Sequence, residues 1–94
     1  MKRSRKGVEH SITSAPAIAH LAHSFVSGEP TYFKVKGGKR AEVIVRGIQR
    51  GRGSSSMLTA VGQLTSFNNE PINPGTFKAE FNPANNRGRL VIRR

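Results

Sequence analysis

Cysteine, aspartate and tryptophan are all missing from this chain, and each of the first two absences closes off a class of chemistry. There is no cysteine, which excludes disulfides and thiolate metal sites and fits a reducing compartment. There is no aspartate either, and the only side-chain carboxylates are those of five glutamates, Glu9, Glu29, Glu42, Glu70 and Glu80. Two-metal nuclease or polymerase chemistry needs clustered carboxylates to hold its divalent ions, and these five are scattered. A Ser-His-Asp arrangement cannot exist without the acid, and no motif marks a glutamate in its place. Long apolar runs are lacking as well. The longest, Ala41 to Val45, is interrupted by Glu42, whereas a membrane-spanning helix needs about 20 apolar residues. Lys2 to Lys6 resembles the charged start of a secretory leader, but Gly7-Val8-Glu9-His10-Ser11 follows where an apolar core is required. The expected location is cytoplasmic or inside a virion rather than secreted.

Positive charge is what the chain has in excess. Sixteen Lys and Arg against five Glu give a net charge of +11 over 94 residues. Fifteen of the sixteen fall in three blocks, Lys2 to Lys6, Lys34 to Arg52 and Arg87 to Arg94. A charge run usually means a solvated face, but that does not account for an imbalance of this size. Clustered cations with few carboxylates build a field that displaces counterions from a polyphosphate backbone. The composition therefore points to nucleic acid.

One domain is expected from this length, since about a hundred residues is the commonest domain size. Five Phe and patterned Val, Ile and Leu runs carry enough apolar surface for a core, although hydrophobic content is only 35%. Residues 1 to 13 are charged and poor in apolar residues, which predicts a flexible basic arm ahead of a single helix-plus-β domain over 14–94. Ser14 as N-cap, Pro16 in the first turn and Gly28 at the end bracket a helix. Ile18, Leu21, Ala22, Phe25 and Val26 follow the spacing of one buried stripe on it.

After Glu29-Pro30 the period changes to two. Phe33 and Val35 alternate with Tyr32, Lys34 and Lys36, and Gly37-Gly38 signals a turn. In the next strand Ala41, Val43 and Val45 share one face, and Glu42, Ile44, Arg46, Ile48 and Arg50 the other, with Gly47 a potential bulge. Gly51 to Ser56 has loop composition, Met57 to Leu64 is a third strand, and Ser66 to Gly75 is a long polar connection. Thr76 to Phe81 places Phe77, Ala79 and Phe81 inward, and Leu90 and Ile92 alternate with Arg89, Val91 and Arg93 in a last strand. The fold class is α+β, mainly β: one helix followed by a five-stranded antiparallel curved sheet or small barrel of Sm-, SH3- or OB-like form.

The residues expected to contact nucleic acid follow from these parities. Lys34, Lys36, Lys39, Arg40, Arg46, Arg50 and Arg52 line one positive surface. Arg87, Arg89 and Arg93 extend it, and Lys2, Arg3, Arg5 and Lys6 of the arm supply mobile phosphate contacts. Tyr32 shares a strand face with Lys34 and Lys36, which suits stacking of a base while cations hold phosphates; its plainer alternative is an amphipathic surface tyrosine. Single strands are preferred to duplex, because no helix has a basic reading face. His20 and His23, three apart on the helix, with His10 from the arm, raise the question of a metal. Without Cys, Asp or a recognisable Glu spacing they read instead as polar-face residues. No catalytic residue, metal site or cofactor is expected. The enzymatic alternative is a metal-free ribonuclease with a Glu or His base, a Lys or Arg clamp and Tyr32. The structural alternative is a component of a virion or ribonucleoprotein particle whose charge faces packaged nucleic acid; a binding module is expected as a monomer or small homo-oligomer, a particle component as particle-sized oligomers.

One stretch carries a family likeness. Pro74-Gly75-Thr76-Phe77-Lys78-Ala79-Glu80-Phe81, followed by Asn86-Arg87-Gly88-Arg89-Leu90-Val91-Ile92, resembles the closing strands of the small single-stranded-DNA-binding proteins of filamentous phages. There a Pro-Gly turn leads into an aromatic-containing strand and then a Gly-X-Leu strand. The resemblance covers about a fifth of the chain. It implies an OB-like dimer that coats single-stranded DNA through basic and aromatic side chains. An N-terminal basic arm and a helix starting at Ser14 depart from that pattern.

Overall fold

Alternation of small or large apolar residues with polar ones makes strands, and here the strands close on themselves. A computed structural model describes residues 7–51, 57–72 and 75–93. Its elements are β1 (Val8–Ser14), α1 (Ile18–Ser27), β2 (Thr31–Val35), β3 (Lys39–Arg50), β4 (Leu58–Phe67), β5 (Glu70–Pro71), β6 (Thr76–Asn82) and β7 (Arg87–Arg93). The strands form one antiparallel sheet in the order β3-β2-β1-β7-β6-β4-β5, and an additional β3–β4 pairing closes six of them into a barrel. Closure removes the free edges that an open sheet would expose. β5 lies outside the ring as a short return on β4. Among the described residues no helix is long and apolar enough to cross a membrane.

Inward positions pack the interior. Phe33, Phe77 and Phe81 face one another with ring centroids 5.9 Å (Phe33–Phe77) and 5.8 Å (Phe33–Phe81) apart. Room for three rings comes from small residues on the facing strands: Ala60 lies directly opposite Ala79, and Ala41 is fully buried. Two of the rings pair across the ladder with glycine, Phe77 with Gly62 and Phe81 with Gly88. A Cβ on Gly88 would run into the Glu80 carbonyl and come within 2.5 Å of Phe81 Cα, so only glycine lets β6 and β7 approach there.

The arm expected over residues 1 to 13 does not extend through that range. Val8–Ser14 is a barrel strand paired with both β7 and β2, and it buries Ile12. The alternation of Val8, His10 and Ile12 is outweighed in composition by its polar neighbours, and it becomes a strand because β7 offers a complementary edge. Residues 1–6 of that arm lie outside the described residues. The sheet has seven strands rather than five: β1 takes up part of the expected arm and β5 part of the expected connection Ser66 to Gly75, while the expected strand Met57 to Leu64 continues as β4 to Phe67. The β4–β5 hairpin turns through Asn68 and Asn69, with φ of 53° and 70°. Asparagine tolerates this left-handed backbone, and two such residues in succession match the twist of the flanking strands.

The helix also differs from expectation. It starts at Ile18 behind Ala17, with no side-chain cap, while Ser14 is the last residue of β1, opposite Lys34. Pro16 accounts for the delay, since the residue before a proline is driven to extended backbone. Gly28 ends the helix as expected, in left-handed conformation (φ 78°) with its N–H donating to the Ser24 carbonyl. The expected buried stripe is not the buried face. Only Leu21 and Ser24 are buried, and Ile18, Ala22, Phe25 and Val26 face solvent. The reason is a hydrogen bond: α1 packs mainly on β3, and the Val45 N–H donates to Ser24 Oγ at 3.0 Å. A buried strand N–H beyond the reach of β2 needs an acceptor, and this need selects the helix face.

Candidate nucleic-acid interface

Pairing register decides where the cations point. On the outer wall formed by β2 and β3, Lys34 lies directly opposite Arg40, and Tyr32 opposite Glu42. Glu42 is a hub: its Oε2 accepts from the Tyr32 hydroxyl at 3.1 Å and its Oε1 from Ser66 Oγ at 3.0 Å. The Arg40 guanidinium lies 4.9 Å from the centroid of the Tyr32 ring, a cation–π distance. Tyr32 is 45% exposed. Its phenol is therefore tethered and its ring is covered on one side by a guanidinium, so the stacking surface on this wall is an Arg–Tyr pair rather than a bare ring. Beside it, Lys34, Gly38, Arg40, Asn68 and Asn69 line a hollow of about 250 Å³.

The β-bulge anticipated at Gly47 reverses the parity that follows it. Val45 pairs with Gly62 and Gly47 with Val61, leaving Arg46 as the extra residue. Arg46 stays on the outer wall, its Nη2 3.5 Å from Gln63 Oε1. Ile48, opposite Ala60, turns inward to pack on the core, and Arg50 follows the same parity opposite Leu58 at the barrel rim. Neither shares the outer face of Glu42 and Ile44, as the uninterrupted alternation predicts.

The third basic block lies on a different wall. In the ring β1-β2-β3-β4-β6-β7, the β6–β7 hairpin is separated from the β2–β3 hairpin by one strand on each side. Here Arg89 and Arg93 flank Val91, whose direct partner is Lys78, and these side chains line a hollow of about 430 Å³ with Glu80. Lys78 is the one cation outside the three sequence blocks. Strand register brings it to Arg89 and Arg93, and the signal available in the sequence was its outward parity on Thr76 to Phe81. Arg89 is partly neutralised, 3.1 Å from Glu80 and 3.8 Å from Glu9.

The two walls meet across β1, where Lys36 and Arg87 flank a hollow of about 440 Å³ over Ser11 and Thr13. The result is a belt of cations from Arg40 and Lys34 through Lys36 to Arg87, Arg89, Lys78 and Arg93. β4, on the opposite side of the ring, contains no charged residue. Among the described residues, the ion pairs engage only Arg89 and His23. Among the same described residues the other cations of the belt have no carboxylate partner. Lys2, Arg3, Arg5, Lys6 and Arg52 lie outside the described residues.

Lys39 sits apart, at the start of β3 and opposite Val35. Its charge acts on His10, whose ring stacks on Phe67 at 4.9 Å. Burial first and Lys39 second hold the His10 imidazole below its ordinary pKa. His23 instead meets Glu29 at 3.0 Å at the helix end. No group of three or more potential metal ligands converges among the described residues. No protein-family model matches this chain, and no curated protein or solved structure shows significant similarity to it.

Proposed function

We infer that this barrel is a non-enzymatic nucleic-acid-binding protein that holds a single strand, DNA or RNA, against its outer wall with weak sequence selectivity. The observation that carries this reading is the belt of cations, all but Arg89 without a carboxylate partner among the described residues, above all Lys34 facing Arg40 across a ladder. Like charges directly opposite on a sheet are destabilising, and a phosphate between them removes the cost. Ser11 and Thr13, beneath Lys36 and Arg87, add hydroxyl donors to the same path. Arg40 stacked on Tyr32 presents a guanidinium plane, a surface on which unstacked bases pack. Four of the five glutamates are occupied in holding side chains: Glu42 with Tyr32, Glu9 and Glu80 with Arg89, Glu29 with His23. The likeness to phage single-stranded-DNA-binding proteins points the same way, as does the use of a strand face for oligonucleotides by OB-fold barrels. A particle component facing packaged nucleic acid would use the same belt, and the exposed apolar face of α1 is the observation that favours this second reading.

The test is titration of a labelled single strand across a salt series, with duplex of the same length as competitor. Neutralising about five phosphates predicts a slope of log K against log salt near −3.5. Tyr32→Ala should weaken single-strand binding by roughly 1 to 3 kcal/mol and leave the slope nearly unchanged. A slope near zero would overturn polyanion binding. Preference for duplex, with Tyr32→Ala silent, would overturn the single-strand assignment alone.

A further inference from the structure

The turn of α1 toward Ser24 leaves its apolar stripe uncovered. Ile18, Phe25 and Val26 are 44%, 52% and 82% exposed, and with Ala22 they form one continuous arc on a helix of ten residues. The surrounding charge is as informative as the exposure. From Ser14 to Gly28 the sequence contains no Lys, Arg, Asp or Glu, in a chain that carries +11 overall. Nucleic acid has no cation to meet there, and a charged peptide has no counter-charge. A surface that is apolar and carries no Lys, Arg, Asp or Glu of its own is complementary to itself, and a helix-on-helix contact there sets no Lys or Arg of one α1 against that of the other.

We propose that this face of α1 is a self-association surface, on which a second copy of the chain packs helix against helix about a two-fold axis. In such an isologous contact each copy contributes the same patch. Three exposed large side chains per copy are far fewer than the roughly 20 to 30 residues a side of a standard stable interface. The dimer is therefore a weak one that forms with concentration. Net charge opposes it and apolar burial drives it, so salt strengthens it by screening the repulsion. Phosphate binding has the opposite salt dependence, which makes the two surfaces experimentally separable and this inference independent of the proposed function.

The experiment is sedimentation of the nuclease-treated full chain from micromolar to about millimolar, at about 0.1 M and about 1 M salt. The mass should rise from 10.2 kDa toward twice that value with concentration, and more readily at the higher salt. Val26→Glu and, separately, Ala22→Lys should hold it at the monomer value under every condition with the wild-type melting temperature, since both positions face solvent. A wild-type chain that remains monomeric at the highest concentration and salt overturns the proposal. So does association that both folded variants retain, which would place the contact on another surface, or mass that grows without limit instead of stopping at the dimer.

Discussion

Removing Lys36 and Arg87 together probes the belt where its two walls join. Both side chains are exposed and flank one hollow over Ser11 and Thr13, so Lys36→Gln and Arg87→Gln should leave the fold intact. Each phosphate neutralised on a single strand contributes about 0.7 to the salt slope, worth roughly fivefold in affinity at about 0.1 M salt. If the two cations hold separate phosphates, the double variant loses roughly 25-fold and its slope flattens by about 1.4. If they clamp one phosphate between them, the second substitution adds little and the slope changes by about 0.7. Arg89→Gln is the internal comparison, because Glu80 and Glu9 already offset that guanidinium, and it should cost less than either single variant. Fluorescence anisotropy with a short single strand over a salt series reads all three. An unchanged slope in the double variant, or an Arg89→Gln loss as large as the double's, would refute the idea that a phosphate path crosses β1.

Other expectations concern the scaffold. Ser24→Ala leaves the buried Val45 N–H without its acceptor and should cost about 1 to 3 kcal/mol in urea unfolding, reduced by a few tenths through alanine's better helix propensity. Gly88→Ala should cost about 3 kcal/mol or more by the same assay, because the new Cβ meets backbone that cannot move without breaking β6–β7 pairing. Gly28→Ala, with open space around its Cβ position, should cost only the left-handed strain of about 1 to 2 kcal/mol. His10 is held below the ordinary imidazole value of 6.5 in the fold, so the unfolded chain takes up its proton first as pH falls. Its contribution to stability is therefore full above that value and declines as pH drops through it toward the folded value. Thermal melts of wild type and His10→Gln should diverge in this slope, and identical pH profiles would count against it.

Several features were legible in the sequence because their cause is local. The period-two runs of β2, β6 and β7 place Phe33, Phe77, Phe81, Leu90 and Ile92 inward, as the structure does, since alternation and pleat have the same period. Gly28 and Gly37-Gly38 end and turn the chain through positive φ. The three basic blocks and the missing aspartate are likewise properties of composition. What only tertiary structure decided is which partner each residue meets. Val8–Ser14 became a strand because β7, some eighty positions later, pairs with it. The buried face of α1 was selected by a strand N–H on Val45, against the apolar count of the helix itself. A bulge at Arg46 reversed the parity of Ile48 and Arg50. Closure of the ring separated the second and third basic blocks onto different walls, joined them across β1 and brought the isolated Lys78 between Arg89 and Arg93. Each of these depends on hydrogen bonds and packing between segments distant in sequence, so no local pattern encodes it, whereas periodicity, turn chemistry and charge are read within a few residues of one another.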